Sequence, residues 1–239
     1  MRTEDFPRDI QPHLIPAPAG RLVYRCLGCD RAYGIEKLLY TCPDCGAVLL
    51  LEDPAFERLK EIPGRRWQQI FDYRRMLNIP ALQGIYRFHE FIGPILPLDA
   101  VVYLGEAQTP IIESNARLQE KAGARIFFKN DGQNPSASFK DRGMASALSY
   151  IQYLLRQGYA EDILAVCAST GDTSASAALY ASYLQPHVKS AVLLPHKKVT
   201  PQQLSQPLGS GAAVFEIPGV FDDCMKIVEA LSGSPAVAG

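Results

Sequence analysis

Short apolar runs alternate with segments of helical pattern from about residue 101 onward, and this alternation limits the fold more than any other feature. The apolar runs are ARIFFKN, ILAVCA, KSAVLLP and AAVFEIP. Helical patterns are predicted over 138–157, about 174–184, about 201–208 and 221–231. Strands that alternate with helices form parallel sheets covered by helices, and near-continuous apolar strands are buried on both faces. The sequence therefore predicts an α/β fold with a parallel sheet.

Four of the six cysteines form two closely spaced pairs, Cys26-x2-Cys29 and Cys42-x2-Cys45. Two such pairs can close a tetrahedral thiolate site, for which zinc is the preferred metal. A four-cysteine site has no open coordination position, so we expect it to be structural. Two other interpretations stay open, namely four unligated thiols and a zinc ribbon that binds nucleic acid.

The nucleic-acid interpretation is disfavoured because acidic and basic side chains offset each other around the cysteines. They are Arg21, Arg25, Arg31 and Lys37 against Asp30, Glu36 and Asp44. The net charge of the whole chain is −1, which provides no basic surface for nucleic acid or for an anionic membrane. The N-terminal MRTEDFPRD does not resemble a signal or transit peptide, and no apolar run reaches the ~20 residues needed to span a bilayer. We therefore expect a cytoplasmic protein.

The chain divides into four regions by sequence texture. Residues 1–20 contain four prolines and little periodicity, which indicates an extended arm. Residues 21–52 alternate strand-like runs with turn residues and predict a small zinc-ribbon-like β unit. Residues 53–100 have helical patterns and are expected to connect this unit to the α/β domain at 101–239.

A lysine lies at the start of a predicted helix, in the segment NPSASFKDRG of residues 134–143. Ser138 and Asp141 have the spacing of a capping box, which predicts Ser138 as the N-cap and places Lys140 in the first turn. The positive partial charge of a helix N-terminus favours the uncharged amine that Schiff-base chemistry needs. Taken alone, a lysine at this position is more often a solvated surface residue.

A second loop, STGDTSAS at residues 169–176, follows the run ILAVCA and leads into another predicted helix. Small hydroxyl residues and glycine at a helix N-terminus make a cradle of donors for an anion such as a carboxylate or a phosphate. Clusters of Ser and Thr also simply cap helices. Because both loops follow predicted parallel strands, we expect them to converge at the carboxyl edge of the sheet, where ligands bind in α/β folds.

The segment NPSASFKDRGM resembles the lysine signature of fold-type II pyridoxal-phosphate (PLP) enzymes, whose fold is that of the tryptophan synthase β subunit, and most closely that of threonine synthases. Three further segments agree in order and spacing: FDYRRMLNIP, YLGEAQTPII and STGDTSAS. A branch of threonine synthases also carries an N-terminal ribbon with paired cysteines. The resemblance covers roughly residues 20–231.

The resemblance implies conversion of O-phospho-L-homoserine and water to L-threonine and phosphate. Lys140 would bind PLP as a Schiff base and act as the acid/base for proton transfer, and Asp172 would contact the 3′ oxygen of the cofactor. The substrate carboxylate would be held by Ser169, Thr170, Gly171 and Thr173. Two positions depart from the common pattern, since Ala137 replaces a glycine and Asp172 replaces an asparagine. Ala137 is expected to tighten its turn.

Fold-type II enzymes are much longer than this chain, and their contacts to the PLP phosphate and pyridine nitrogen lie further along. The segment Gly209-Ser210-Gly211 is the sole glycine-rich candidate here, and we interpret it as a turn. The sequence therefore predicts a partial chain without the C-terminal cofactor half, or a relic. Lys129 and Arg142 are candidates for binding the substrate phosphate, although structural ion pairs are the favoured interpretation of both.

Two kinds of alternative function stay open. Another fold-type II enzyme, such as cysteate synthase or a Ser/Thr dehydratase, would keep the lysine motif and change the substrate. A non-catalytic zinc-ribbon interaction protein with a relic PLP domain belongs to a different class. The expected partner is a small amino-acid phosphate, and a homodimer is left open as the assembly.

Overall fold

The computed structural model describes residues 1–169 and 171–232, without the side chain of Gln202. The described residues fall into two compact units. The first comprises Met1–Tyr103 and Ser149–Ala160, and the second comprises Leu104–Leu148 and the described residues from Glu161 onward. One long helix is therefore divided between the units. None of the described helices is both long enough and apolar enough to cross a bilayer.

The cysteine pairs of the first unit are carried by a small antiparallel sheet. Its strands are β1 (Val23–Cys26), β2 (Ala32–Gly34) and β3 (Leu49–Glu52), in the order β2-β1-β3. The central strand β1 pairs Tyr24 with Tyr33 on one side and with Leu51 on the other. The predicted β unit at the cysteines is thus confirmed.

The remainder of the first unit is helical and irregular. Its α-helices are α1 (Gln11–Leu14), α2 (Gly64–Arg74) and α3 (His89–Ile92), joined by short 3-10 turns. Trp67 and Ile70 of α2 form a hydrophobic core with Phe6, Ile10, Leu14, Leu59, Leu77 and Leu82. Residues 1–20 were expected to form an extended arm, and this was wrong. Three apolar side chains in this segment are buried in the core, so the segment packs as part of the unit.

The second unit opens with a two-stranded sheet that the sequence did not predict. Strand β4 (Ile111–Glu113) is followed by α4 (Ala116–Ala122) and β5 (Phe127–Lys129), and the two strands pair antiparallel. The run ARIFFKN therefore contains a strand, but not one of the described parallel sheet as expected. Pairing depends on which strand lies alongside in space, and the apolar pattern of a single run does not contain that information.

The lysine helix and a parallel sheet complete the second unit. Helix α5 (Lys140–Arg156) leads to β6 (Ile163–Ala168), α6 (Asp172–Tyr183), β7 (Val188–Pro195), α7 (Pro201–Gly209), β8 (Ala213–Ile217) and α8 (Phe221–Ser232). The order β6-β7-β8 is parallel throughout. The four predicted helices agree with α5 to α8 within two residues at each end. The predicted turn after α7 is also present, with Gly211 at a φ of +78°.

Helix α6 packs on one face of this parallel sheet, and small and branched side chains make the contact. Ala178 of α6 packs with Val192 and Leu194 of β7 and with Ala212. The central strand β7 is buried over Ala191–Pro195, as expected for a parallel strand enclosed by its neighbours. Burial of the outer strands on both faces was wrongly expected, since Leu164 of β6 and Phe215 of β8 are about half exposed. The sheet thus holds α6, and the loop before it, at the carboxyl end of β6. The predicted α/β fold with a parallel sheet is confirmed.

Candidate functional site

The lysine segment forms a loop between β5 and α5, and Lys140 is the first residue of the helix. The Lys140 side chain is half-buried, and its Nζ lies 4.9 Å from the centroid of the Phe139 ring. The salt bridges of the described residues all involve other basic side chains. An amine that forms no salt bridge among the described residues remains available for covalent attachment to an aldehyde cofactor.

A buried carboxylate beside the lysine anchors the loop. Asp141 is fully buried, and its Oδ2 accepts a hydrogen bond from the Ser136 N–H at 2.7 Å. Its Oδ1 accepts from the Ser136 hydroxyl and from the Ser176 hydroxyl, each at 2.5 Å. Since Ser176 lies on α6, Asp141 joins the lysine loop to the helix that follows the second loop. The sequence did not predict this role for Asp141.

The expected capping box at this helix is only half present. The Ser138 hydroxyl accepts from the Lys140 N–H at 3.3 Å, as an N-cap side chain does. The reciprocal bond, in which the Asp141 carboxylate would accept from the Ser138 N–H, was wrongly predicted, because this carboxylate accepts from the Ser136 N–H and hydroxyl instead. The reason lies in Ala137, whose φ of +62° is left-handed and turns the chain between the two serines. A glycine at this position would adopt such a conformation without strain.

A loop preceding β4 contributes a second buried acid. Glu106 is 1% exposed, and its Oε2 accepts from the Leu104 N–H at 3.1 Å and from the Tyr180 hydroxyl at 2.9 Å. Burial raises the pKa of Glu106 above its usual value. In the same loop, the Ala107 N–H donates to Oδ1 of Asn134 at 3.1 Å, which ties the loop to the lysine segment. The YLGEAQTPII motif thus supplies hydrogen-bond partners for the lysine segment and for α6, which the sequence pattern did not indicate.

The two candidate phosphate-binding cations are engaged within the protein. Arg142 Nη2 lies 2.6 Å from Asp131 Oδ1 and donates to Thr109 Oγ1 at 3.2 Å. This contact with Arg142 lowers the pKa of Asp131. Lys129 Nζ donates to the same Thr109 hydroxyl at 2.5 Å. Arg142 therefore forms the expected structural ion pair, whereas the described contacts of the exposed Lys129 are hydrogen bonds to Thr109.

The second loop lies between β6 and α6. The Gly171 N–H donates to the Ser169 hydroxyl at 3.3 Å, and the Ser174 hydroxyl donates to the Gly171 carbonyl at 2.7 Å. Asp172 is the first residue of α6 and is exposed, and Thr173 beside it is half-buried. Thr170 lies outside the described residues. The binding roles of these side chains remain predictions.

The four paired cysteines come together in the first unit. Their Sγ atoms all lie within 4.8 Å of one another. The Sγ atoms of Cys26 and Cys45 are 3.4 Å apart, and the Sγ atoms of Cys29 and Cys42 are 3.6 Å apart. The edges of a tetrahedron with zinc–sulfur bonds of about 2.3 Å are about 3.8 Å long, so the donor set fits a tetrahedral metal. This cluster could hold a metal ion, as the spacing predicted.

Hydrogen bonds reach the sulfurs of Cys26 and Cys42, whose pKa values are lowered, whereas the pKa values of Cys29 and Cys45 are raised. The N–H groups of Gly28 and Cys29 donate to Cys26 Sγ at 3.3 and 3.4 Å. Burial acts to raise the pKa of Cys42, but donors that include the Tyr33 hydroxyl lower it to about 6. A thiolate is the form that binds a metal, and Cys42 is therefore poised to provide it.

Comparison with known proteins assigns the class. Residues 102–236 match the family model described as "Pyridoxal-phosphate dependent enzyme". The chain therefore belongs to the pyridoxal-phosphate dependent enzyme family, with the fold-type II architecture.

Within this class the chain is threonine synthase-like. It is 32% identical over 218 residues to the threonine synthase of Methanocaldococcus jannaschii, covering 88% of this chain and 47% of that protein. It is 30% identical over 214 residues to the threonine synthase of Methanosarcina acetivorans, covering 87% and 45%. The PLP-bound threonine synthase from Brucella melitensis shares the fold, with a TM-score of 0.54 at 20% identity, over 90% of this chain and 45% of that one. The chain thus spans less than half the length of these relatives.

Proposed function

We propose that this chain is the lysine-bearing part of a threonine synthase, which converts O-phospho-L-homoserine and water to L-threonine and phosphate. The observation that carries the proposal is the hydrogen-bonded link from Asp141 to Ser176. It holds the start of the lysine helix against the helix that follows the predicted carboxylate-binding loop. A reactive amine and an anion cradle on adjoining helix starts match the needs of an amino-acid substrate.

Each part of this arrangement has a distinct task in the proposed reaction. Lys140 would hold PLP covalently and then move protons at the Cα and neighbouring carbons of the substrate. When bound, PLP supplies an electron sink for the charge that develops at Cα. Ser169, Gly171 and Thr173 would orient the substrate carboxylate, and Thr170 would complete that cradle. Asp172, exposed at the start of α6, would reach the 3′ oxygen of the cofactor.

The cysteine cluster is proposed as a structural zinc site. Two of its four cysteines, Cys26 and Cys42, are 2% exposed, and the set provides four sulfur ligands. A closed tetrahedral thiolate site excludes a substrate from the metal, so its contribution is to the folding of the first unit. Elemental analysis after metal-free purification should find about one zinc per chain.

The decisive experiment compares three substrates on the complete PLP-loaded protein. O-phosphohomoserine, phosphoserine with sulfite, and threonine are supplied separately, and phosphate, cysteate and 2-oxobutanoate are measured. Release of phosphate together with threonine from O-phosphohomoserine supports the proposal.

The other outcomes identify the alternatives. Cysteate from phosphoserine and sulfite would make the protein a cysteate synthase, and 2-oxobutanoate from threonine would make it a dehydratase. A protein that binds zinc but turns over none of the three substrates would favour the non-catalytic interaction protein. In the first two cases the assignment of Lys140 stands and only the substrate changes.

A further inference from the structure

The cysteine cluster has a side-chain neighbour that metal ligation alone does not explain. The Tyr33 hydroxyl oxygen, on strand β2, lies 3.0 Å from Cys42 Sγ. The same hydroxyl donates to Asp44 Oδ2 at 2.5 Å. Arg31 Nη1 lies 2.7 Å from that carboxylate oxygen. A chain of contacts therefore runs from Arg31 through Asp44 and Tyr33 to one of the four sulfurs.

A single hydroxyl hydrogen faces two acceptors in this chain. A metal-bound cysteine carries no hydrogen on its sulfur, so Cys42 in a loaded site can only accept. Asp44 competes for the same hydrogen, but its charge is offset by Arg31. The sulfur and the carboxylate are both within hydrogen-bond distance of the Tyr33 hydroxyl. Rotation about the phenol C–O bond is therefore enough to direct its hydrogen to either acceptor.

We propose that Tyr33 is a positioning residue of the metal site, whose hydroxyl turns from Asp44 to donate to the Cys42 sulfur when a metal is bound and so sets the affinity and electronic character of that metal. Outer hydrogen bonds orient metal ligands and tune the metal, and their loss typically weakens metal binding. Tyr33 acts here through Cys42 and does not touch the metal. The inference rests on the proposed metal site.

The test uses Tyr33→Phe in the full chain, with Tyr40→Phe as the matched control. Tyr40 lies in the same segment and its side chain is 75% exposed. Zinc affinity is measured by competition with a chromophoric chelator. Tyr33→Phe should weaken zinc binding by roughly tenfold to a hundredfold, and Tyr40→Phe should leave it unchanged. The sulfur-to-metal charge-transfer band of the cobalt-loaded protein should move to lower energy in Tyr33→Phe, because an unshared thiolate is the stronger electron donor.

Asp44→Asn separates positioning from general packing. The amide of the new side chain can donate to the phenol oxygen, which leaves the hydroxyl hydrogen to the sulfur. Affinity should therefore stay within about threefold of the parent protein or increase, and the cobalt band should not move to lower energy. This variant keeps Tyr33, so the comparison holds even if Tyr33→Phe folds poorly.

Three results would overturn the inference. One is a Tyr33→Phe protein with the zinc affinity and cobalt band of Tyr40→Phe. Another is an Asp44→Asn protein that loses affinity as strongly as Tyr33→Phe, since that pattern means that the contacts serve packing alone. A parent protein that binds neither zinc nor cobalt refutes the metal site itself, and the role of Tyr33 with it.

Discussion

The cysteine cluster and the lysine loop are held in place by opposite means. The four sulfurs belong to one short stretch, Cys26–Cys45, and two of the cysteines are exposed. The lysine loop is anchored by a fully buried carboxylate, whose serine partners lie 5 and 35 residues away in sequence. The first region is closed by cysteines that lie close together in sequence and could hold a metal, whereas the second is closed by hydrogen bonds between distant segments.

Because of this difference, we expect the cysteine cluster to contribute to the stability of the fold and the lysine loop to contribute to the reaction. A site that four sulfurs close completely contributes folding energy and takes no part in a reaction. A loop that keeps its lysine half-buried, and anchors the adjacent residue instead, can support a reactive amine. Perturbing the two regions should therefore affect different measurements.

The largest effect is expected from Lys140→Ala in the complete PLP-loaded protein. Removing the amine eliminates covalent attachment and proton transfer, which should reduce kcat/KM by about 1000-fold or more. Lys121→Ala, on the exposed helix α4, is the matched control and should retain activity. Borohydride reduction followed by peptide mapping should place the cofactor label on Lys140. A label on another lysine would show that Lys140 is not the reactive amine of the lysine loop.

Removal of the metal should affect the first unit alone. Cys42→Ser should lower the free energy of unfolding of that unit by several kcal/mol, about 4 or more, because metal binding is coupled to folding. Urea unfolding followed by the fluorescence of Trp67 reports on this unit. A chelator should reproduce the loss in the parent protein and have no further effect on the variant. If parent and variant have equal free energies of unfolding, with and without chelator, then no metal stabilises the first unit.

Asp141→Ala tests the anchor of the lysine loop. The substitution leaves the Ser136 N–H and two serine hydroxyls without their acceptor, which should cost about 3 kcal/mol of the free energy of unfolding. Ser176→Ala removes one donor and should cost about 1 kcal/mol. Asp162→Ala, at an exposed aspartate, is the control, with an expected loss below about 1 kcal/mol. Similar losses for Asp141→Ala and Asp162→Ala would mean that the buried network does not hold the loop.

The smallest effect is a gain. Ala137→Gly relieves the left-handed backbone at φ +62° and should stabilise the protein by about 1 kcal/mol, after the greater freedom of glycine in the unfolded chain is allowed for. Ala147→Gly, in the interior of α5, makes the same chemical change and should destabilise by about 1 kcal/mol. Opposite signs for the two changes, measured by urea unfolding, would confirm that strain in the lysine loop is local. A loss at both positions would show that the loop does not need the left-handed conformation.

Much of this protein could be predicted from local sequence. The helices α5, α7 and α8 follow from periodicity, since their apolar positions repeat along the chain itself, whereas α6 buries small and polar residues at consecutive positions. The cysteine cluster follows from the spacing of its two pairs, and Ser138 was correctly expected to cap the lysine helix. The prediction failed at Asp141, whose spacing matches a capping box, because the chain reverses at Ala137 and brings Ser136 to the carboxylate instead.

The sequence by itself determined the elements that a local pattern specifies: the helices α5 to α8, the apolar runs that form strands, the paired cysteines and the lysine motif. Only the tertiary structure decided that β5 pairs antiparallel with β4, that residues 1–20 pack into a core, and that Asp141 reaches Ser176. Each of these depends on which distant segment arrives alongside. Burying a carboxylate or an apolar side chain is favourable only once that partner is present, and no local pattern in the chain specifies the partner.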